Sequence, residues 1–391
     1  MPGDAAALAA VLTRCAEEGL AAVPRGDGTK LDWGRPPSTV DIVVDTGRLA
    51  GVREHSAADL VATIGAGTPL RAAQAALARA GQRLALDPGS SEATIGGMLA
   101  TGEAGPLRHA FGTPRDLLLG VEFVRADGRV AHAGGKVVKN VAGYDVGKLL
   151  CGSYGTLGVI ASATFRLHPL PAVSAWVVRT VHQPGEVVTL VGELLATQLA
   201  PTAVEVDLPS FPVVPKQRDG QRSAGTSGRL AVLFEGSAQG VPARCAAATA
   251  LLGGDASIVD SAPEWWGRYP FGPDEVALRI AVPPADLDTA TLALRDAAGI
   301  PFPVRGSAGA GVVFTALPAA WPVERLAMTL RGLRTALTAC GGTCVVLAAP
   351  SPVREELDLW GPVPGLELMR RVKEQFDPGR LLSPGRFVGG I

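Results

Sequence analysis

The sequence predicts an α+β protein of two domains, and three observations predict it. Glycine-rich loops follow short apolar runs at three places before residue 160. Beyond His168-Pro169-Leu170-Pro171 the apolar pattern runs β-α-β-β-α and then repeats that order. The chain has 391 residues, more than the roughly 250–300 at which one hydrophobic core tends to split.

The elements follow from periodicity and punctuation. Residues 4–18 read as an amphipathic helix carrying Asp4, Arg14, Glu17 and Glu18, a pattern unlike a signal peptide. Strands are expected at Val40–Val44, Val61–Ile64, Leu117–Arg125 and Val159–Leu167, with a helix at Pro69–Ala80. In the second domain the first pass is Trp176–Val181, Val187–Ala200, Val204–Leu208, Leu230–Glu235 and Pro242–Leu252. The second pass is Val276–Val282, Leu287–Ala298, Pro303–Val304, Val312–Leu317, Val323–Ala339 and Cys344–Ala348. Two such passes imply a pseudo-repeated antiparallel sheet with helices on one face. Pro212–Gly228, rich in Pro, Gly, Ser and charge, reads as an inserted loop, either a solvated hairpin or a lid or partner contact. The aromatic run Trp265-Trp266 to Tyr269-Pro270-Phe271 reads either as core or as a ring platform.

Composition narrows the function. A formal charge of −1 offers no electrostatic footprint for nucleic acid. No apolar run approaches the roughly 20 residues of a membrane span, and the compartment is read as cytoplasm. Cys15, Cys151, Cys245, Cys340 and Cys344 contain no C-x-x-C pair, so the chain is not expected to hold an iron–sulfur cluster, which takes about four thiolates. No H-x-H or H-x-x-x-H spacing occurs, and no metal site is expected.

The chemistry lies in the three loops. They are Val23-Pro24-Arg25-Gly26-Asp27-Gly28-Thr29-Lys30, Asp87-Pro88-Gly89 through Thr94-Ile95-Gly96-Gly97-Met98-Leu99-Ala100, and Gly152-Ser153-Tyr154-Gly155-Thr156-Leu157-Gly158 running into Val159-Ile160. Glycine brings the backbone N–H groups close to a ligand, and successive N–H groups with a nearby hydroxyl suit a pyrophosphate. Three such loops fit one long ligand.

In order and wording these segments, with Gly112-Thr113-Pro114-Arg115-Asp116, resemble the vanillyl-alcohol oxidase and para-cresol methylhydroxylase flavoproteins, which bind FAD without a Rossmann fold. Phe376-Asp377-Pro378-Gly379-Arg380-Leu381-Leu382-Ser383-Pro384-Gly385-Arg386-Phe387 is similar to that family's C-terminal return strand. The resemblance implies a two-subdomain FAD-binding domain over 1–171, an α+β cap over 172–375 and a return segment over 376–391. Gly105-Pro106-Leu107-Arg108 and Lys139-Asn140-Val141-Ala142-Gly143-Tyr144-Asp145 are further similar to the E-type subunits of bacterial glycolate oxidases. Those work beside a homologous, larger flavin subunit and an iron–sulfur subunit. Carried over, this implies oxidation of a small 2-hydroxy acid such as glycolate or D-lactate to the 2-oxo acid, with any membrane attachment peripheral and through the partners.

The same resemblance implies roles residue by residue. Pro24, Arg25, Gly26, Asp27, Gly28 and Thr29 would hold the pyrophosphate. Pro88, Gly89, Thr94, Ile95, Gly96, Gly97 and Ala100 would wrap the pyrophosphate or the edge of the isoalloxazine. Gly155, Gly158, Val159 and Ile160 would meet adenine and ribose. Arg115 and Asp116 are either flavin-side groups or a surface ion pair, and Lys139, Asn140, Tyr144 and Asp145 either serve the flavin or tie domains or subunits together. No residue from 26 to 29 can bond covalently to the ring, so FAD should be noncovalent. Asp27 would repel a pyrophosphate unless it points away or pairs with Arg25 or Lys30.

Catalytic residues are scarce. The histidines are at 55, 109, 132, 168 and 182, so none occurs beyond His182, in the first strand region of the cap, the domain where relatives oxidising 2-hydroxy acids place a base or metal ligand. Tyr269 and His109 are the remaining candidates, and Arg279 and Arg305 could clamp a carboxylate. The lack of any histidine from Gln183 to Ile391 implies that the main substrate chemistry belongs to the homologous partner subunit. The alternatives are a self-sufficient FAD enzyme acting on another alcohol and a structural subunit with an empty flavin fold.

Overall fold

A computed structural model describes residues 1–90, 92–136, 145–210 and 227–391. The chain forms two compact units, one of residues 1–105, 111–170 and 362–391, the other of residues 106–110 and 171–361. Lys139, Asn140, Tyr144 and nearly all of Pro212–Gly228 lie outside the described residues.

Unit 1 begins with the helix Ala5–Glu18. Asp4 Oδ1 accepts from Ala7 N at 2.7 Å, and Gly19 closes the helix at φ 67°. Leu8, Leu12 and Cys15 recur at helical spacing and are buried. They pack in one core with Val124, Val159 and Ala161. Ala22–Arg25 pairs in parallel with Ile42–Asp45. A five-stranded antiparallel sheet follows, in the order Val52–Ser56, Val61–Gly65, Val159–Arg166, Leu118–Val124, Val130–Gly134. Its middle strand, Val159–Arg166, is buried along all but its last residue, which is why it reads as a continuous apolar run. The second core joins this sheet to the helices Leu70–Ala78 and Ile95–Thr101.

The segment 362–391 belongs to unit 1, so the chain leaves unit 2 at Gly361, earlier than the expected 375. It forms the helix Leu366–Phe376 and then an irregular run with one parallel bridge, Ala22 to Leu382, in place of a return strand. What fixes that run is a buried ion pair. Lys373 Nζ lies 2.6 Å from Asp377 Oδ2, with the side chains 3% and 0% exposed. The ammonium also donates to Thr156 O at 2.8 Å and Leu382 O at 3.1 Å. Asp377 accepts from Leu381 N at 3.0 Å and Leu382 N at 2.8 Å. Burial pushes the Lys373 pKa below its ordinary value, and Asp377 opposes that shift.

Unit 2 is an eight-stranded sheet with every pairing antiparallel. Its strand order is Ser257–Val259, Val173–Val181, Gly228–Gly236, Ala203–Leu208, Val304–Ser307, Val312–Pro318, Glu275–Ala281, Thr343–Ala348. The chain runs β-α-β-β-α-β twice, which bears out the α+β reading. The helices Pro184–Leu195, Gly240–Leu252, Leu287–Ala298 and Val323–Thr338 share one core with Val177, Val206, Val232, Leu278 and Val313. They therefore cover one face. By alternation, Glu205, Asp207, Arg305, Phe314 and Arg279 point to the opposite face.

Removing one partner of the Lys373–Asp377 pair should be severe. Lys373→Met or Asp377→Ala is expected to cost roughly 3–5 kcal/mol, because either leaves an uncompensated buried charge, while an apolar replacement of both should recover much of the loss. Denaturant unfolding of the three variants measures this. Two single variants as stable as the parent protein would refute it.

Candidate functional site

The three loops meet. A Cβ on Gly26 would stand 2.2 Å from Thr94 Oγ1, and one on Gly155 would stand 2.8 Å from Pro24 Cγ. Tyr154 N donates to Ala100 O at 2.8 Å, tying the third loop to the second. Together they line one cleft that opens to solvent.

Its wall contains Pro24, Arg25, Gly26, Asp27, Gly28, Thr29, Thr94, Gly96, Gly97, Ala100, Gly155, Gly158, Val159 and Ile160, all expected from sequence. Pro88, Gly89, Ile95, Arg115 and Asp116 are not in it. Ile95 is wholly buried in the core. Gly89 N donates to Glu103 Oε1 at 3.1 Å. Asp116 caps its own turn, accepting from Thr113 N and Thr113 Oγ1, both at 2.7 Å. That backbone bond holds the Asp116 carboxyl below the usual carboxylate range. Thr46, Ala66, Thr101, Tyr154 and Arg386 also line the cleft; the sequence assigns none of them a site role, although Tyr154 lies in the third loop and Arg386 in the C-terminal run. Of these only the positive φ of Tyr154, 56°, marks an unusual position, and no sequence pattern announces it.

The loops supply different things. In the first, Thr46 N and Thr46 Oγ1 both donate to Arg25 O, at 2.9 and 3.1 Å, and Gly28 turns the chain at φ 82°. Among the described residues, the N–H groups of Gly26, Asp27, Gly28 and Thr29 find no acceptor within the chain. That leaves a row of unspent donors on a loop that lines the cleft, the arrangement an anionic phosphate group satisfies. The second segment differs from a loop of free donors. It is the helix Ile95–Thr101, capped by Thr94, whose Oγ1 accepts from Gly97 N at 3.2 Å. Ile95 N and Gly96 N are spent on Thr68 O and Ala66 O, at 2.9 and 2.7 Å. Its glycines therefore serve close approach, since a Cβ on Gly96 would stand 2.9 Å from Ala66 Cβ.

Charge is arranged around the first loop. Arg25 pairs with Asp45 at 2.9 Å. Lys30 pairs with Glu103 at 2.9 Å, both side chains buried, and its ammonium lies 5.3 Å from the Trp33 ring. Asp27 is exposed and pairs with neither basic neighbour. Donors, loop approach and charge fit a flavin dinucleotide with its phosphates on the first loop.

The catalytic candidates lie in unit 2. Tyr269 stacks on Phe271 at 4.9 Å and meets Phe314 edge-on at 4.9 Å. Asp207, Arg305, Phe314 and Arg279 stand side by side across four neighbouring strands, with Arg305 Nε 2.8 Å from Asp207 Oδ1. His109 belongs to the short segment 106–110. Its ring fills the space where a Cβ on Gly309 would come within 2.7 Å of Nδ1. Burial lowers the His109 pKa, opposed by a hydrogen bond with the Gly309 backbone. Burial also lowers that of His168, assisted by Arg166 and Arg83.

Comparison with known proteins agrees with this geometry. Residues 1–134 match the family model described as an FAD binding domain. Glycolate oxidase subunit GlcE of Escherichia coli is 41% identical over 154 residues, covering 39% of this chain and 43% of that protein. D-lactate dehydrogenase of Archaeoglobus fulgidus is 39% identical over 168 residues, covering 43% and 38%. An FAD-linked oxidoreductase of Mycobacterium tuberculosis is 28% identical, with 99% of this chain and 90% of that protein covered. Among solved structures, alkyldihydroxyacetonephosphate synthase superposes with a TM-score of 0.70 at 17% identity, covering 99% of this chain and 76% of the other, a likeness of fold. The chain spans less than half the length of the glycolate oxidase subunit and the D-lactate dehydrogenase. Residues 1–134 thus carry an FAD binding domain, and the cofactor is FAD.

Two outcomes are expected. Gly26→Ala forces a Cβ into the stiff Thr94 side chain, and overpacking of about 1–3 kcal/mol should weaken FAD binding about tenfold or more in a fluorescence titration, with circular dichroism unchanged. Undiminished affinity would show that the loops need not touch there. On acidification, His109 and His168 stay neutral in the fold after they would protonate in the unfolded chain. Both folded pKa values are lowered, so stability holds above about pH 6.5 and falls below it, by up to about 1.4 kcal/mol per pH unit for each histidine. His109→Asn and His168→Asn should each flatten that slope in unfolding experiments from pH 7 to 5.

Proposed function

We propose that this protein is an FAD-dependent oxidoreductase acting on small 2-hydroxy acids, serving as a flavin subunit of a glycolate-oxidase-type complex. The observation that carries the reading is the meeting of three glycine segments on one cleft with unpaired N–H groups at 26–29, in a chain similar to glycolate oxidase subunits and a D-lactate dehydrogenase. Bound FAD would supply the two-electron acceptor. In this reading the first loop and Thr29 hold the phosphates. Gly96 and Gly97 let the cofactor lie against the helix Ile95–Thr101, and Gly155 to Ile160 form the wall at its other end. The substrate hydroxyl proton needs an acceptor, and no histidine follows His182. The main substrate step is therefore assigned to a homologous, larger flavin subunit, with electrons passing on to an iron–sulfur subunit.

A second reading, a self-sufficient enzyme, is favoured by the row of Asp207, Arg305, Phe314 and Arg279. Two guanidiniums flanking an aromatic ring suit a carboxylate-bearing substrate, and Tyr269, packed on that ring, would take the proton.

The visible spectrum decides between them. Flavin bands that stay oxidised when glycolate or D-lactate is added anaerobically to the lone chain, yet bleach with its partner subunits present, are expected for the first reading. Bleaching of the lone chain establishes the second. No bleaching in either preparation would sink both.

A further inference from the structure

We propose that Arg386 is a cofactor-binding residue, supplying the guanidinium that receives the diphosphate of the flavin dinucleotide. The inference rests on FAD occupying the cleft of unit 1. Arg386 is 6% exposed and lines that cleft with the whole first glycine loop. Its Nη2 donates to Lys30 O at 2.8 Å, which puts the cation at the end of the row of N–H donors from Gly26 to Thr29. It is held from several sides. Its own carbonyl accepts from Arg35 N at 3.1 Å, its N–H donates to Ser383 O at 3.2 Å, and its Cζ lies 6.0 Å from the Tyr154 ring.

The charges of the cleft give the site its sign. Of the four charged side chains in the wall, Arg25 is engaged with Asp45 and Lys30 with Glu103. Asp27 is a carboxylate on the same loop as the donors and repels phosphate. Arg386 is the buried guanidinium of this wall, and a planar guanidinium fork matches phosphate oxygens where an ammonium is only a point charge. Backbone amides alone would meet a dianion across from Asp27; Arg386 offsets that repulsion.

The test uses the full chain stripped of flavin, as parent protein, Arg386→Met and Arg386→Lys, titrated with ADP, adenosine and FAD. Loss of a charge-assisted contact to phosphate should weaken ADP and FAD in Arg386→Met by roughly 10- to 100-fold. Adenosine should stay within about threefold, and Arg386→Lys should recover part of the loss. The weakening of FAD binding by salt should also shrink in Arg386→Met. A clasp that only holds Lys30 in place would weaken ADP and FAD in Arg386→Met without shrinking the salt dependence of FAD binding, and that result overturns the assignment. So does undiminished ADP or FAD affinity, or FAD binding in the parent protein that ignores salt. No hydroxy acid is present, so these outcomes are independent of whether the substrate reading holds.

Discussion

The Lys373–Asp377 pair is the interaction on which the cofactor cleft depends. Two opposite charges, both withdrawn from water, are stable only where each also satisfies its remaining donors or acceptors. Here the ammonium caps Thr156 O and Leu382 O, while the carboxylate takes the N–H groups of Leu381 and Leu382. Those bonds fix the third glycine loop and the run carrying Ser383 and Arg386 with a single group. Leu381 O and Ala22 O then bond Ala22 N and Ser383 N, at 2.8 and 3.0 Å, and join both to the strand that opens into the first loop. A second buried pair, Lys30 with Glu103, links that loop to the turn after the helix Ile95–Thr101. The wall of the cleft is thus ordered by polar contacts, with the apolar cores behind it.

Much of this was legible from residue order. The strands of unit 2 stand out as short apolar runs between turn signals, the central ones Ala203–Leu208 and Val312–Pro318 being buried along most of their length, and most of its helices show an apolar stripe. The convergence of the loops was legible too, since three glycine segments fit one long ligand, and the structure adds that a Cβ at 26, 96 or 155 would collide with a neighbouring segment. The helix Ile95–Thr101 was read as a loop because Gly96-Gly97 lowers helix propensity. The Thr94 cap and the contact with Ala66 outweigh that cost.

What stayed hidden depends on distant pairing. Lys373 and Asp377 sit in a charged stretch, Arg370-Arg371-Val372-Lys373-Glu374, that looks like a solvated helix face, and nothing local says that this one lysine turns inward. Arg386 and Tyr154 reach the cleft from segments far apart in the chain. Short edge strands such as Val130–Gly134 alternate half-buried and exposed residues, a pattern too weak to separate from a turn. Arg115-Asp116 suggested a pair of site residues, whereas the carboxylate serves the Thr113 capping box, a local need that any helix start can have.

The discontinuity of unit 1 has a consequence for how the protein is made. The ribosome emits residues 1–170 first, then all of residues 171–361, and only afterwards the helix Leu366–Phe376 and the run to Arg386. Unit 2 has its strands and helices in one nearly continuous stretch and can close while synthesis continues. The nascent FAD domain must wait, its third loop lacking the ammonium that caps Thr156. The cofactor cleft is therefore walled in full only after residues 366–386 have emerged, and a chain stalled within unit 2 would lack both Lys373 and Arg386.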